Sequence, residues 1–109
     1  MEYRVIVGPR TWRDVDEIVR FIAQDSPAAA HQWYEEIFDR FESLESMPER
    51  CPVAPEPELD ALGIRQMVVG NYRILFTIAR DRSAVHIHHV RHAARKPMSS
   101  KDITEEGED

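Results

Sequence analysis

From Asp25-Ser26-Pro27 onward, Ala30, Tyr34, Ile37, Phe41 and Leu44 recur at intervals of four, three, four and three residues, and the run ends before Pro48. That period is one apolar stripe on an α-helix of about five turns. Ser26 suits the N-cap. Pro27 suits the first helical position, where its missing N–H is not needed. A stripe of this length needs a second layer to cover it, which the rest of the chain must supply.

A shorter helical pattern precedes it. Trp12, Val15, Ile18, Val19 and Ile22 fall at helical spacing and predict a helix over 11–24, started by Thr11 or Pro9. Only two or three residues separate the two helices, so they fold back as an antiparallel hairpin. Trp12 and Trp33 are expected in its core. Before the hairpin, residues 3–7 (YRVIV) are β-branched and aromatic, and Gly8-Pro9 breaks the run.

After the hairpin, residues 48–60 hold four of the seven prolines and predict a loop. Three strand-like runs follow, over 64–69, 72–79 and 84–92. Turns at Gly70-Asn71 and Asp81-Arg82-Ser83 separate them. Such short connections favour an antiparallel meander. The expected fold is therefore α+β: an N-terminal strand, an antiparallel helical hairpin, then a three-stranded antiparallel meander, forming one sheet packed on the helices. One domain is expected over 1–98. An acidic, flexible tail without apolar content is expected over 99–109.

Charge is unevenly spread. Residues 1–60 carry six Lys/Arg against fourteen Asp/Glu, residues 61–98 carry seven against the single Asp81, and residues 99–109 carry Lys101 against five acids. Either the basic stretch meets an anionic partner, or the two halves attract one another within the fold. No apolar run approaches the ~18 residues of a membrane span, and no export segment is visible. A lone cysteine, Cys51, fits a reducing cytoplasm and is expected to be an incidental thiol.

Val85-His86-Ile87-His88-His89-Val90-Arg91-His92 holds four of the five histidines. Strict alternation puts Val85, Ile87, His89 and Arg91 on one strand face and His86, His88, Val90 and His92 on the other. No set of Cys, His or carboxylate residues converges with them, so neither a metal nor another cofactor is expected. An alternating His-apolar-His-apolar-His nucleophile pattern fails at Val90. The remaining reading makes His86, His88 and His89 a solvated, titratable sheet face beside arginines.

Three segments together resemble a known family: Ser26-Pro27-Ala28-Ala29-Ala30 leading into Phe41-Glu42-Ser43-Leu44-Glu45-Ser46-Met47-Pro48; Gly63-Ile64-Arg65-Gln66-Met67-Val68-Val69-Gly70-Asn71-Tyr72-Arg73-Ile74-Leu75-Phe76; and Val85 to Arg95. From about residue 3 to 96 the chain resembles the RelE/ParE superfamily of bacterial toxins, the toxin half of type II toxin–antitoxin modules. The resemblance implies a cognate antitoxin as partner. It also implies one of two activities: ribosome-dependent cleavage of mRNA in RelE-like members, or poisoning of DNA gyrase in ParE-like members.

Metal-free RNA cleavage needs a base for the 2′-OH, an acid for the leaving oxygen and cations for the phosphorane. RelE-like members bring lysines, arginines and a C-terminal tyrosine. In this chain Arg73 matches the family arginine, Arg65 stands where lysines are expected, and no tyrosine follows Tyr72. The ParE-like reading is therefore preferred. In it, Arg65, Tyr72, Arg73, Arg91, His92 and Arg95 contribute to target or antitoxin contact from one sheet face. An antitoxin acidic where it meets residues 61–98 would associate in a salt-sensitive way. The second reading keeps Arg73, Arg91 and His92 as catalytic residues acting on mRNA at the ribosome. A third makes the chain a non-toxic degenerate member. Arg73 paired with Glu35 or Glu42, and Tyr72 simply packed, are the structural alternatives at those two positions.

Overall fold

The computed structural model describes residues 2–94, so the expected tail over 99–109 lies outside the described residues. Strand β1 (Arg4–Val7) leads into helix α1 (Pro9–Ala23), with Gly8 as an extended N-cap and Pro9 at the first helical turn. Helix α2 (Pro27–Ser43) starts as expected: the Ser26 hydroxyl accepts from the Ala29 backbone N–H at 3.1 Å. This bond satisfies one of the helix's orphan donors.

The proline-rich segment departs from expectation. It is a folded strap that holds a 3-10 turn over Pro48–Arg50 and a short helix α3 (Pro57–Ala61). Strands β2 (Arg65–Val69), β3 (Tyr72–Ala79) and β4 (Ala84–His92) then complete the sheet. Gly70 turns the β2–β3 hairpin at φ +58°, a conformation that glycine adopts without a Cβ clash. The sheet order is β1-β4-β3-β2, with the meander antiparallel and β1 lying parallel against β4.

The hairpin covers one face of the sheet. Val15, Ile37, Phe41 and Leu44 pack against Ile74, Phe76, Val85, Ile87 and Val90, all of them buried. Burial of each such side chain contributes roughly 1.5–3 kcal/mol. The opposite face carries a second, smaller core of Ala54, Leu59, Ile64 and Leu75. The strap therefore folds because it has its own apolar face, with Leu59 and Ile64 seated on Leu75.

Strict alternation of β4 does not survive. Leu75 lies opposite His89 and Phe76 opposite Ile87, so the register of the ladder steps past His88. This is a β-bulge, and one extra residue swaps the faces of everything beyond it. Val90 and His92 therefore join Val85 and Ile87 toward the hairpin, opposite Ile74 and Tyr72. Arg91 lies opposite Arg73 on the far face.

Trp12 corrects another expectation. It is 43% exposed, its ring 5.3 Å from that of Phe38 on the outside of the hairpin. Trp33 is half-buried against the core, and its buried indole N–H has no hydrogen-bond partner among the described residues.

Candidate functional site

The candidate residues are divided between the two sheet faces. Alternation along β3 sends Arg73 to the strap side, while Tyr72 faces the hairpin with Ile74 and Phe76. Arg73 is only 8% exposed. Its Nη1 donates to Glu56 Oε1 at 2.8 Å and to Gln66 Oε1 at 3.1 Å, and its Nη2 donates to Glu56 Oε2. Both carboxylate oxygens are thus held by one guanidinium fork, a geometry that phosphate also fits. The partner is Glu56 of the strap, not Glu35 or Glu42 of α2. Sequence reasoning missed Glu56 because it lies in a stretch assigned to loop.

Arg91 is cross-strand from Arg73 and shares its face. Arg65 is elsewhere. It lies opposite Phe76 on the hairpin side, and its Nη1 donates to the carbonyls of Cys51 at 2.5 Å and Glu49 at 3.2 Å. Its charge pins the strap's first turn. His92 also faces the hairpin: its ring lies edge-on to Tyr72 at 5.1 Å, and its Nδ1 accepts from the Ala94 N–H at 3.0 Å. That bond leaves the neutral ring's proton on Nε2. Arg65, Tyr72, Arg73, Arg91 and His92 do not form a single sheet surface, and Arg95 lies outside the described residues.

The expected solvated histidine face holds only in part. His89 is buried, 5% exposed, with Nδ1 3.0 Å from Asp14 Oδ2. A carboxylate only accepts, so Nδ1 carries the hydrogen. The same oxygen accepts from the Val90 backbone N–H at 3.1 Å. Asp14 thereby caps the edge of β4 just beyond the point where β1 stops pairing at Ile87. His88, expelled by the bulge, meets the Thr77 hydroxyl at 2.9 Å. Among the described residues no His, Cys, Asp and Glu group is placed to hold a metal ion.

Acidic and basic halves of the chain do meet inside the fold. Glu56 holds Arg73, Glu49 lies 3.6 Å from Arg80, and Asp14 holds His89. Glu49 also accepts from the Tyr3 hydroxyl at 2.7 Å, a bond that lowers its own proton affinity and raises that of Tyr3. Burial raises the pKa of Tyr72. Burial likewise pushes the Cys51 thiol up, the opposite of what a nucleophile needs.

Two cavities of about 360 and 400 Å³ share Phe21, Tyr72 and His92 between α1 and the end of the sheet. Another, of about 540 Å³, opens on the strap side over Glu56, Gln66 and Arg73.

A sequence model of the ParE toxin of type II toxin–antitoxin systems matches residues 5–97. The chain belongs to the ParE toxin family. It is a type II toxin–antitoxin toxin of the wider ParE/RelE superfamily. No curated protein sequence matches it. Among solved structures, the chromosomal ParDE toxin–antitoxin system of P. aeruginosa superposes with a TM-score of 0.68 at 12% identity, over 84% of this chain and 96% of that one. The RelBE2 toxin–antitoxin complex of Mycobacterium tuberculosis superposes at 0.58 with 25% identity, over 87% and 95%. A mutant E. coli RelE toxin in the free state superposes at 0.60 with 13% identity, over 99% and 97%. The α+β arrangement of this ParE-family chain is thus that of ParE and RelE toxins. Among its described residues no helix is long and apolar enough to cross a membrane.

Proposed function

We propose that this ParE-family chain is a cytoplasmic toxin that acts by binding a bacterial target, DNA gyrase, and that a cognate antitoxin neutralises it. One observation carries the choice of binding over RNA cleavage. Arg73, the arginine that a RelE-like ribonuclease would aim at the phosphorane, is buried and already gripped at both prongs by Glu56. A phosphodiester would have to displace a carboxylate from an ideal fork, in a site where the ion pair is largely shielded from water.

The histidine and the tyrosine a ribonuclease would recruit are also apart from Arg73. Arg91 pairs across the ladder with Arg73 and also lines the cavity that holds Tyr72 and His92, but His92 lies on the hairpin side with its Nδ1 lone pair spent on Ala94. Tyr72 is pushed away from ionisation by burial. The separation of Arg73 from His92 and Tyr72 favours binding over phosphodiester cleavage. The antitoxin is supported by family membership and by the similar RelBE2 structure of Mycobacterium tuberculosis, which is a toxin–antitoxin complex.

The deciding experiment induces the chain without an antitoxin and follows mRNA ends and gyrase in the same cells. Trapped gyrase cleavage complexes with intact mRNA are the expected result. Codon-phased mRNA cuts that disappear in Arg73→Ala or His92→Ala would establish the ribonuclease instead. Unimpaired growth would mark a non-toxic member.

A further inference from the structure

The corner between α1, α2 and the β3–β4 end carries aromatic surface that the fold does not cover. Phe21 is 65% exposed, more than Trp12 and Tyr34, the other exposed aromatics of the hairpin. It lines both cavities together with Tyr72 and His92, and Trp33 lines the second, its ring 5.3 Å from Tyr72. An exposed aromatic cleft of this kind marks a docking surface.

Its charge says what docks. Glu17 stands four residues before Phe21 on α1 and so lies one turn away on the same helical face. Glu36 stands three residues after Trp33 on α2 and does the same there. Both line the cleft, Glu17 in one cavity and Glu36 in the other. Phe21 and Trp33 each therefore have a carboxylate one helical turn away. A Lys or Arg stem can lie on the ring while its head meets the acid, gaining both cation–π and ionic attraction. Asp14 and Arg91 also line the cavity that Glu17 lines, Asp14 with one carboxylate oxygen already given to His89 and the Val90 N–H. Glu36 is loosely held by Arg40 at 3.6 Å on the helix surface, a pair that an incoming cation would compete with.

We infer that the Phe21–Tyr72–His92 cleft receives a partner segment in which an apolar side chain is flanked by Arg or Lys. The partner is the antitoxin of the proposed module, so the biology rests on that reading while the chemistry rests on the cleft. The consequence is specific. Although residues 61–98 are basic, the contact at this corner selects a basic segment, not an acidic one.

The test uses the full chain and two synthetic fourteen-residue peptides with identical leucine spacing, one carrying Lys and Arg at the remaining positions and the other Glu. Binding is followed by calorimetry. The basic peptide is expected to bind about ten-fold tighter or more. General attraction to an acidic protein is separated by two variants of equal net charge. Glu17→Lys in the cleft should weaken the basic peptide about ten-fold, while Asp39→Lys, exposed on α2 and outside the cleft, should change it less than about two-fold. Phe21→Ala should weaken it with an unchanged circular dichroism spectrum, since Phe21 is mostly in water. Equal binding of both peptides, equal effects of the two charge variants, or no binding at all would overturn the inference. So would concentration-dependent self-association that Phe21→Ala abolishes, because a second copy would then own the cleft. Growth arrest on induction is scored separately, so failure of the toxin reading leaves the peptide preference standing or falling by itself.

Discussion

Glu56 and Arg73 lie seventeen residues apart in sequence and close on one another as a two-pronged pair, their side chains only 11% and 10% exposed. This contact ties the proline-rich strap to the sheet face opposite the helical hairpin. It also decides what the family arginine can do. With both prongs occupied, Arg73 serves the fold before it serves any ligand.

Removing one partner of a buried pair strands the other charge. Glu56→Ala is expected to destabilise the protein by about 3–5 kcal/mol in urea unfolding. The double variant Glu56→Leu with Arg73→Met should recover most of that loss, because no orphan charge remains. A single variant that unfolds at the wild-type urea midpoint would show that the pair is decorative.

Asp14 uses one carboxylate oxygen for two donors, the Val90 N–H and the His89 ring. His89 Nε2 is already buried without a partner among the described residues. Asp14→Ala is therefore expected to cost about 2–4 kcal/mol, combining a lost charged hydrogen bond with an unsatisfied buried ring. Hydrogen exchange should localise the damage, with the Val90 amide losing protection first.

The bulge makes an unusual length prediction. Deleting His88 leaves Phe76 opposite Ile87 and Leu75 opposite His89, a regular ladder with every apolar residue still on its own face. This deletion should fold, at a cost within about 2 kcal/mol for the lost Thr77–His88 contact and bulge twist. Deleting His86 removes a paired residue and turns one side of β4 inside out, so that protein is expected not to fold. Circular dichroism and urea titration of the two deletions compare them directly.

Cys51 is buried, and its thiol is raised above its ordinary value near 9.0 chiefly by desolvation. The sign follows from proton binding. Above pH 9 the unfolded chain loses the thiol proton while the folded chain keeps it, so this group's contribution to stability is complete below the unfolded pKa and is lost as pH rises beyond it. Unfolding midpoints should fall through that range less steeply in Cys51→Ala than in the wild type. Thiol-directed alkylation of the native protein at neutral pH should be slow and should accelerate on unfolding.

Much of the architecture was legible before the structure because its signals are local. Ser26 and Pro27 mark a helix start, the four-three spacing from Ala30 to Leu44 marks its buried face, and Gly70-Asn71 marks a hairpin. Those residues act on neighbours a few positions away, so their pattern can be read along the chain. The family was legible for a related reason: its motifs lie within single strands and turns.

The site was not legible in this way, because each of its decisive contacts joins distant segments. Nothing near Arg73 in the sequence names Glu56, and nothing near His89 names Asp14, seventy-five residues away. Trp12 belongs to a helical stripe by spacing, yet the stripe is wider than the surface that the sheet covers, so Trp12 remains 43% exposed on Phe38. One bulged residue, His88, reassigned Val90, Arg91 and His92 between faces, an outcome that two-residue periodicity cannot encode. The sequence by itself determined the order and type of the main elements and the family to which they belong. Only the tertiary structure decided which charges are neutralised, which histidine is buried and which aromatic cleft stays open, since those depend on pairings made across the fold.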